Sequence, residues 1–310
     1  MNIDPYLNYV EIGELYQKLG EYEKAKQAYE KLIECPELAA LGWVNIAKIE
    51  AARNKLRTAK EYYRRAVECS PDKYDILYNY ANFLLDIQDY EEAITYYDKA
   101  LELEPSLALA QYNKGVAYAY MERFEDALET YKKVIKINPD DAMCLFDMGV
   151  LYCELGQIQE AVKHLQKSIE LNPAESRAYE LMAECFRRID QPDIAITYLR
   201  RAFELDPNNA VIQYKLGDIY LENGEPEEAK KIFDLALKSN AVDAVLIYKR
   251  ACSFALMGDI NKALKELSVA IQFNPLVKEM ALTDNAFENY LQDENFLRII
   301  NSRRTPLSES

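Results

Sequence analysis

The feature that most constrains this chain is a step of 34 residues. Proline stands at Pro71, Pro105, Pro139, Pro173 and Pro207, each 34 residues after the one before, and returns at Pro275 after a gap at Ala241. Counting back, Pro36 lies 35 residues before Pro71. Alanine keeps the step without a gap, at Ala25, Ala59, Ala93, Ala127, Ala161, Ala195, Ala229 and Ala263. Twelve residues before each of these comes a small one: Gly13, Ala47, Ala81, Gly115, Gly149, Ala183, Gly217 and Ala251. Three residues after the small one, Tyr16, Glu50, Leu84, Tyr118, Tyr152, Phe186, Tyr220 and Phe254 fill one position. Four residues after each alanine, Tyr29, Tyr63, Tyr97, Tyr131, Leu165, Leu199, Phe233 and Leu267 fill another. A fixed period of this length marks a repeat architecture.

Spacings of three, four and seven put the marked residues on one helical face. Glycine or alanine lets two helix backbones approach closely, and the large residues fill the space beside that approach. Proline ends the second helix, because its ring cannot continue the hydrogen-bond ladder. Each repeat is thus a helical hairpin that cannot bury its apolar face alone and must stack on its neighbours.

These residues resemble the tetratricopeptide repeat family. The family pattern is a large residue, Leu, Gly and Tyr, followed by Ala, Phe or Tyr, Ala and Pro. The second repeat shows it as Trp43, Ile46, Ala47, Ala59, Tyr63, Ala66 and Pro71, and the fourth as Gly115, Tyr118, Ala127, Tyr131 and Pro139. The expected fold is all-α, a right-handed superhelical solenoid over residues 1–277. Its eight hairpins fall at 6–39, 40–73, 74–107, 108–141, 142–175, 176–209, 210–243 and 244–277. Met280, Leu282, Phe287, Leu291, Phe296, Ile299 and Ile300 then predict a helical cap at 278–300, with Asp284 and Asp293 as helix starts. A flexible tail is expected at 301–310. Three departures stand out: the short first repeat, Glu50 where an aromatic residue is expected, and Ser239-Asn240-Ala241 without proline, where the seam is expected to pack differently or flex.

Charge narrows the function. Lys and Arg total 37 against 52 Asp and Glu, a net charge of -15. Nucleic-acid binding normally needs a basic footprint, so none is expected, and a protein partner should be neutral or basic. No uncharged run is long enough to span a bilayer, so no membrane insertion is expected. The six cysteines form no CxxC pair, and the N-terminus has neither a basic stretch nor an apolar core. The expectation is a cytoplasmic chain with free, mostly buried thiols, Cys35 and Cys69 among them in the core. The lone histidine, His164, is expected at a surface or groove edge. No catalytic constellation, cofactor motif or metal-ligand spacing is present, so the chain reads as non-enzymatic.

The resemblance implies that the first helices of the hairpins line a concave groove. Carried over residue by residue, one groove row reads Val44, Tyr78, Tyr112, Phe146, Glu180, Tyr214 and Tyr248. The next reads Asn45, Asn79, Asn113, Asp147, Leu181, Lys215 and Lys249, and a third includes Asn82 and Asp218. Asparagine both donates and accepts, so such a ladder can hold a peptide backbone, and tyrosines give large contact area at low entropy cost. The candidate site is therefore Tyr78, Asn79, Asn82, Tyr112, Asn113, Phe146, Asp147, Tyr214 and Tyr248, binding a protein or peptide segment. Some family members clamp an acidic chaperone C-terminus between basic residues. Here Asn82 and Asn113 match that clamp, but Tyr78, Met143 and Asp147 replace its cations, and the clamp is not expected. Arg177, Glu180, Glu184, Arg187 and Arg188 of the sixth repeat are expected to pair along one helix. The leading expectation is an interaction scaffold or assembly factor. The alternatives are a self-assembling protein stacked through a terminal face, or an accessory subunit of an enzyme or secretion complex.

Overall fold

A computed structural model describes residues 4–302, and among these there is no strand. Residues 303–310 of the expected tail lie outside the described residues, as do 1–3. The helices come in hairpins: α1 (Asp4–Lys18) with α2 (Tyr22–Ile33), α3 (Ala39–Ala52) with α4 (Leu56–Cys69), α5 (Tyr74–Asp86) with α6 (Tyr90–Leu103), and α7 (Ala108–Tyr120) with α8 (Phe124–Ile137). They continue as α9 (Ala142–Glu154), α10 (Ile158–Leu171), α11 (Ser176–Arg188), α12 (Pro192–Leu205), α13 (Ala210–Glu222), α14 (Pro226–Ser239), α15 (Ala244–Leu256) and α16 (Ile260–Phe273). After these come α17 (Val277–Thr283), a 3₁₀ segment (Asn285–Tyr290) and α18 (Glu294–Asn301).

The chain divides into two compact units, Met1–Leu151 and Tyr152–Ser310, with the division inside α9. In the first unit each hairpin closes on itself, and hairpins join as α2 on α3, α4 on α5 and α6 on α7. In the second, α10 packs on α11, α12 on α13 and α14 on α15 in the same way.

Local rules set every hairpin. The turn between its two helices carries one left-handed residue at the same 34-residue step: Gly20, Asn54, Gln88, Glu122, Gly156, Asp190, Gly224 and Gly258, with φ between 58° and 78°. The following N–H reaches back five residues, as in Lys55 to the Glu50 carbonyl (2.9 Å), Asp89 to Leu84 (2.8 Å) and Glu225 to Tyr220 (2.7 Å). This closure satisfies carbonyls that the helix end leaves open. Four of the eight positions hold non-glycine residues, each at a cost of roughly 1–2 kcal/mol. At the other end of the hairpins that end in proline from the second onward, the residue before the proline closes the second helix, as Glu104 N–H does on Ala100 (2.9 Å).

The seam without proline keeps this register. Asn240 N–H bonds the Ala236 carbonyl at 3.2 Å. Asp243 then caps α15, accepting from the N–H groups of Val245 (2.9 Å) and Leu246 (3.0 Å).

All eight step alanines are fully buried. At the step position glycine also makes room for a ring. A Cβ at Gly13, Gly115 or Gly217 would come within 2.3, 2.4 or 2.5 Å of a ring carbon of Tyr29, Tyr131 or Phe233, sixteen residues on. Glu50 is buried on α3, with Lys26 Nζ at 3.2 Å and Lys55 Nζ at 3.4 Å. Burial alone raises its pKa, but the two ammonium groups outweigh it and hold the carboxyl below its ordinary range.

One core expectation needs correction. Cys35 is buried, but Cys69 is exposed. It closes α4 at a position where Leu103, Ile137 and Leu171 are also exposed, because the last residue of the second helix has already turned off the packed face.

The cap is three short segments. Asp284 starts the 3₁₀ segment by accepting from Ala286 N–H (2.9 Å). Asp293 starts α18 by accepting from Asn295 (2.9 Å) and Phe296 (3.0 Å) N–H. Phe287 and Phe296 are fully buried and stack at 5.6 Å, closing the apolar end of the last hairpin.

Candidate binding groove

In the first unit the asparagine and tyrosine rows meet as one hydrogen-bonded network. The Asn82 side-chain carbonyl accepts from Asn113 Nδ2 at 2.9 Å and from the Tyr97 hydroxyl at 2.7 Å. Asn113 Nδ2 also lies 3.5 Å from the Tyr78 hydroxyl oxygen. The Tyr112 hydroxyl donates to the Asp147 carboxylate. Burial first, then that carboxylate, push the Tyr112 pKa up, so the phenol stays protonated and donating. Asn79 turns its amide to the Asp75 carbonyl on its own helix, at 2.7 Å. Tyr78, Asn79, Asn82, Tyr112, Asn113, Phe146 and Asp147 are all half-buried.

These bonds link α5, α7 and α9 to one another and to α6. Sequence reasoning placed Tyr97 only in the core. Its ring is there, but its hydroxyl enters the groove network, a contact that the fifteen-residue step from Asn82 encodes across the hairpin turn.

Tyr248 departs from the groove row. It is fully buried, and its hydroxyl donates to Asp284 at 2.8 Å. The cap covers the first helix of the last hairpin there, so this residue is core and not groove surface. Val44 is buried as well.

Tyr214 is half-buried and lines a cleft of about 490 Å³ in the second unit. Its walls are Glu180, Ala183, Glu184 and Arg187 of α11, Leu199 of α12, Ala210, Val211, Tyr214, Lys215, Asp218, Ile219 and Glu222 of α13, and Asp243, Val245 and Leu246 around the start of α15. Val211 is 54% exposed at its mouth.

The charges in the cleft are ordered. Lys215 Nζ sits 2.6 Å from Glu180, Arg187 Nε 3.1 Å from Glu184, and Lys249 pairs with Asp218. Arg188 also donates to Glu184, at 3.0 Å. The expected pairing along α11 therefore holds for Glu184 with Arg187 and Arg188, whereas Glu180 pairs across helices. Burial raises the Glu184 pKa, and the two guanidinium groups outweigh it and keep the carboxylate charged. The lining holds five carboxylates against two cations.

The signal for this cleft in the sequence is thin: Val211 occupies the first-turn position held in the first unit by Leu109 and Met143, which are 61% and 57% exposed. His164 Nδ1 lies 2.9 Å from the Glu160 carbonyl oxygen, and its ring packs on Tyr152 at 5.1 Å. Among the described residues no group of three His, Cys, Asp or Glu side chains is placed to hold a metal, and no helix is long and apolar enough to cross a membrane.

Comparison with known proteins agrees with this architecture. Models described as tetratricopeptide repeat match residues 7–34 and 40–73, residues 72–140, 106–174 and 141–208, and residues 190–249. Among solved structures, the C-terminal part of a TPR repeat-containing protein from Cytophaga hutchinsonii aligns with a TM-score of 0.63 and 18% identity, over 72% of this chain and 90% of that one. A tetratricopeptide repeat protein from Parabacteroides merdae aligns with a TM-score of 0.57 and 20% identity, over 82% of this chain and 97% of that one. MamA from Desulfovibrio magneticus aligns with a TM-score of 0.51 and 24% identity, over 54% of this chain and 95% of that one. At these identities the likeness speaks for the fold. The comparison with curated proteins gives no match. With the matched segments spread over residues 7–249 and falling on hairpins of one 34-residue period, the chain belongs to the tetratricopeptide repeat family.

Proposed function

We propose that this protein is a non-enzymatic interaction scaffold whose second unit takes a short segment of a partner protein between α11, α13 and α15. The cleft of about 490 Å³ carries this reading. It combines an exposed apolar wall at Val211 with an aromatic anchor at Tyr214 and a rim of ordered charge, the mixture that fixes a bound side chain. The Asn82–Asn113 ladder of the first unit already spends its groups on bracing neighbouring helices. The acidic lining favours a segment with an apolar anchor flanked by Lys or Arg.

The test is selection of peptides from a displayed library on the full chain. Enriched peptides should carry that pattern. Val211→Asp should weaken the best one at least about tenfold, or ~1.4 kcal/mol, by placing a carboxylate against its anchor. Tyr112→Ala with Asn113→Ala should leave affinity within about twofold. The opposite result would move the site to the first unit, and no enrichment would sink the reading.

A second reading rests on α1 and the residue after it. Leu7, Ile12, Leu15 and Leu19 are 47%, 38%, 56% and 63% exposed along one side, an apolar stripe that the described residues leave open. This supports self-association through the first hairpin. Mass by light scattering should rise with concentration, and Leu15→Asp should hold the chain at monomer mass. A monomer at every concentration would remove it.

A further inference from the structure

The eight repeats place a pair of positions 32 residues apart on successive first helices. These hold Ala51 with Phe83, Leu85 with Ala117, Ala119 with Leu151, Arg187 with Ile219, and Leu221 with Ser253. Only between the fifth and sixth repeats are both filled by cysteine, Cys153 on α9 and Cys185 on α11. Their sulfurs stand 2.8 Å apart, and the two residues are 1% and 0% exposed. A disulfide bond is about 2.05 Å long, so closing it asks for only a small inward shift of the sulfurs.

We propose that Cys153 and Cys185 are an oxidation site, joined by a peroxide-class oxidant into a disulfide that staples α9 to α11 within the second unit. Cys153 is the attacking sulfur. The Cys185 thiol, donating to it, lowers its pKa, the Arg188 guanidinium adds to this, and burial opposes both. The same guanidinium donates to the Cys153 carbonyl at 2.8 Å. Cys185 is pushed up by that hydrogen bond and by burial, and so keeps its proton for the second step. Cys153 is the penultimate residue of α9, where a helix end opens most readily and admits a molecule as small as hydrogen peroxide.

The chemistry balances. The Cys153 thiolate attacks one peroxide oxygen, the O–O bond breaks, and the other oxygen leaves as water after taking a proton. Cys153 is then a sulfenic acid. The Cys185 sulfur attacks the Cys153 sulfur, the S–O bond breaks, and hydroxide leaves with the Cys185 proton as a second water. Two thiols have lost two electrons and two protons, and one peroxide has become two waters.

The experiment uses the full chain carrying Cys69→Ser, which removes the exposed thiol and its intermolecular products. The folded protein is treated with hydrogen peroxide, denatured in N-ethylmaleimide and mapped by mass spectrometry. A peptide pair joined through Cys153 and Cys185 is expected, together with a rise in unfolding midpoint of about 5–10 °C that dithiothreitol reverses. Cys153→Ala and Cys185→Ala should each abolish both effects, and mapping of the parent chain stands even if one variant folds poorly. Recovery of the two cysteines as separate alkylated or over-oxidised peptides would overturn the proposal. So would a midpoint rise that survives in Cys185→Ala.

Discussion

Phe287→Ala is expected to destabilise the C-terminal end of the chain by about 3–5 kcal/mol, the range for truncating a fully buried phenylalanine. Phe287 has no exposed surface, stacks on Phe296 at 5.6 Å and meets Tyr248 at 6.3 Å. With Phe296 it forms the aromatic pair by which the cap holds the last hairpin. Without it the cap loosens and leaves the apolar face of α15 and α16 to water. In a repeat array stability is nearest-neighbour, so the loss should spread inward from that end and not across the whole chain. The chain offers a clean readout, because its one tryptophan, Trp43, lies on α3 in the first unit. In denaturant titrations the helical ellipticity of the variant should gain an early limb while the Trp43 fluorescence transition stays where it was. A single transition, unmoved from wild type by both probes, would show that the cap contributes little.

Gly115→Ala is expected to cost about 1–3 kcal/mol even though alanine is the better helix former by roughly 1 kcal/mol. The added Cβ would come within 2.4 Å of a Tyr131 ring carbon. That ring is buried and stacks on Tyr112 at 5.5 Å, and Tyr112 is in turn held by Asp147. The second and third repeats show what relief looks like: alanine and tyrosine coexist there as Ala47 with Tyr63 and Ala81 with Tyr97, the latter ring tied to Asn82 at 2.7 Å. The sixth and eighth repeats instead pair Ala183 with Leu199 and Ala251 with Leu267. In a Tyr131→Leu background, then, Gly115→Ala should become neutral or stabilising. The double-mutant cycle should yield a coupling of at least about 1 kcal/mol. Additive effects of the two substitutions would mean that the ring and the glycine do not share space.

Much of this was legible residue by residue. The eight buried alanines, the hairpin period and the two cap-starting aspartates follow from spacing, because a helix places residues three, four and seven apart on one face whatever surrounds it. The step of left-handed residues was harder to read: glycine marks only four of its eight positions, and Asn54, Gln88, Glu122 and Asp190 hide the rest. Cys69 was misplaced because an apolar residue at the end of a helix gives no sign of which way the last turn faces.

The sequence by itself determined that the chain is a stack of helical hairpins, since periodicity and turn chemistry are local and repeat eight times. Only the tertiary structure decided which polar groups are spent and which are open. The Asn82–Asn113–Tyr97 network, the burial of Tyr248 under the cap, the cleft beside Tyr214 and the meeting of Cys153 with Cys185 all depend on side chains from different repeats. Those meetings are set by how one hairpin leans on the next, a geometry fixed by the sum of many small packing contacts and not written at any single position.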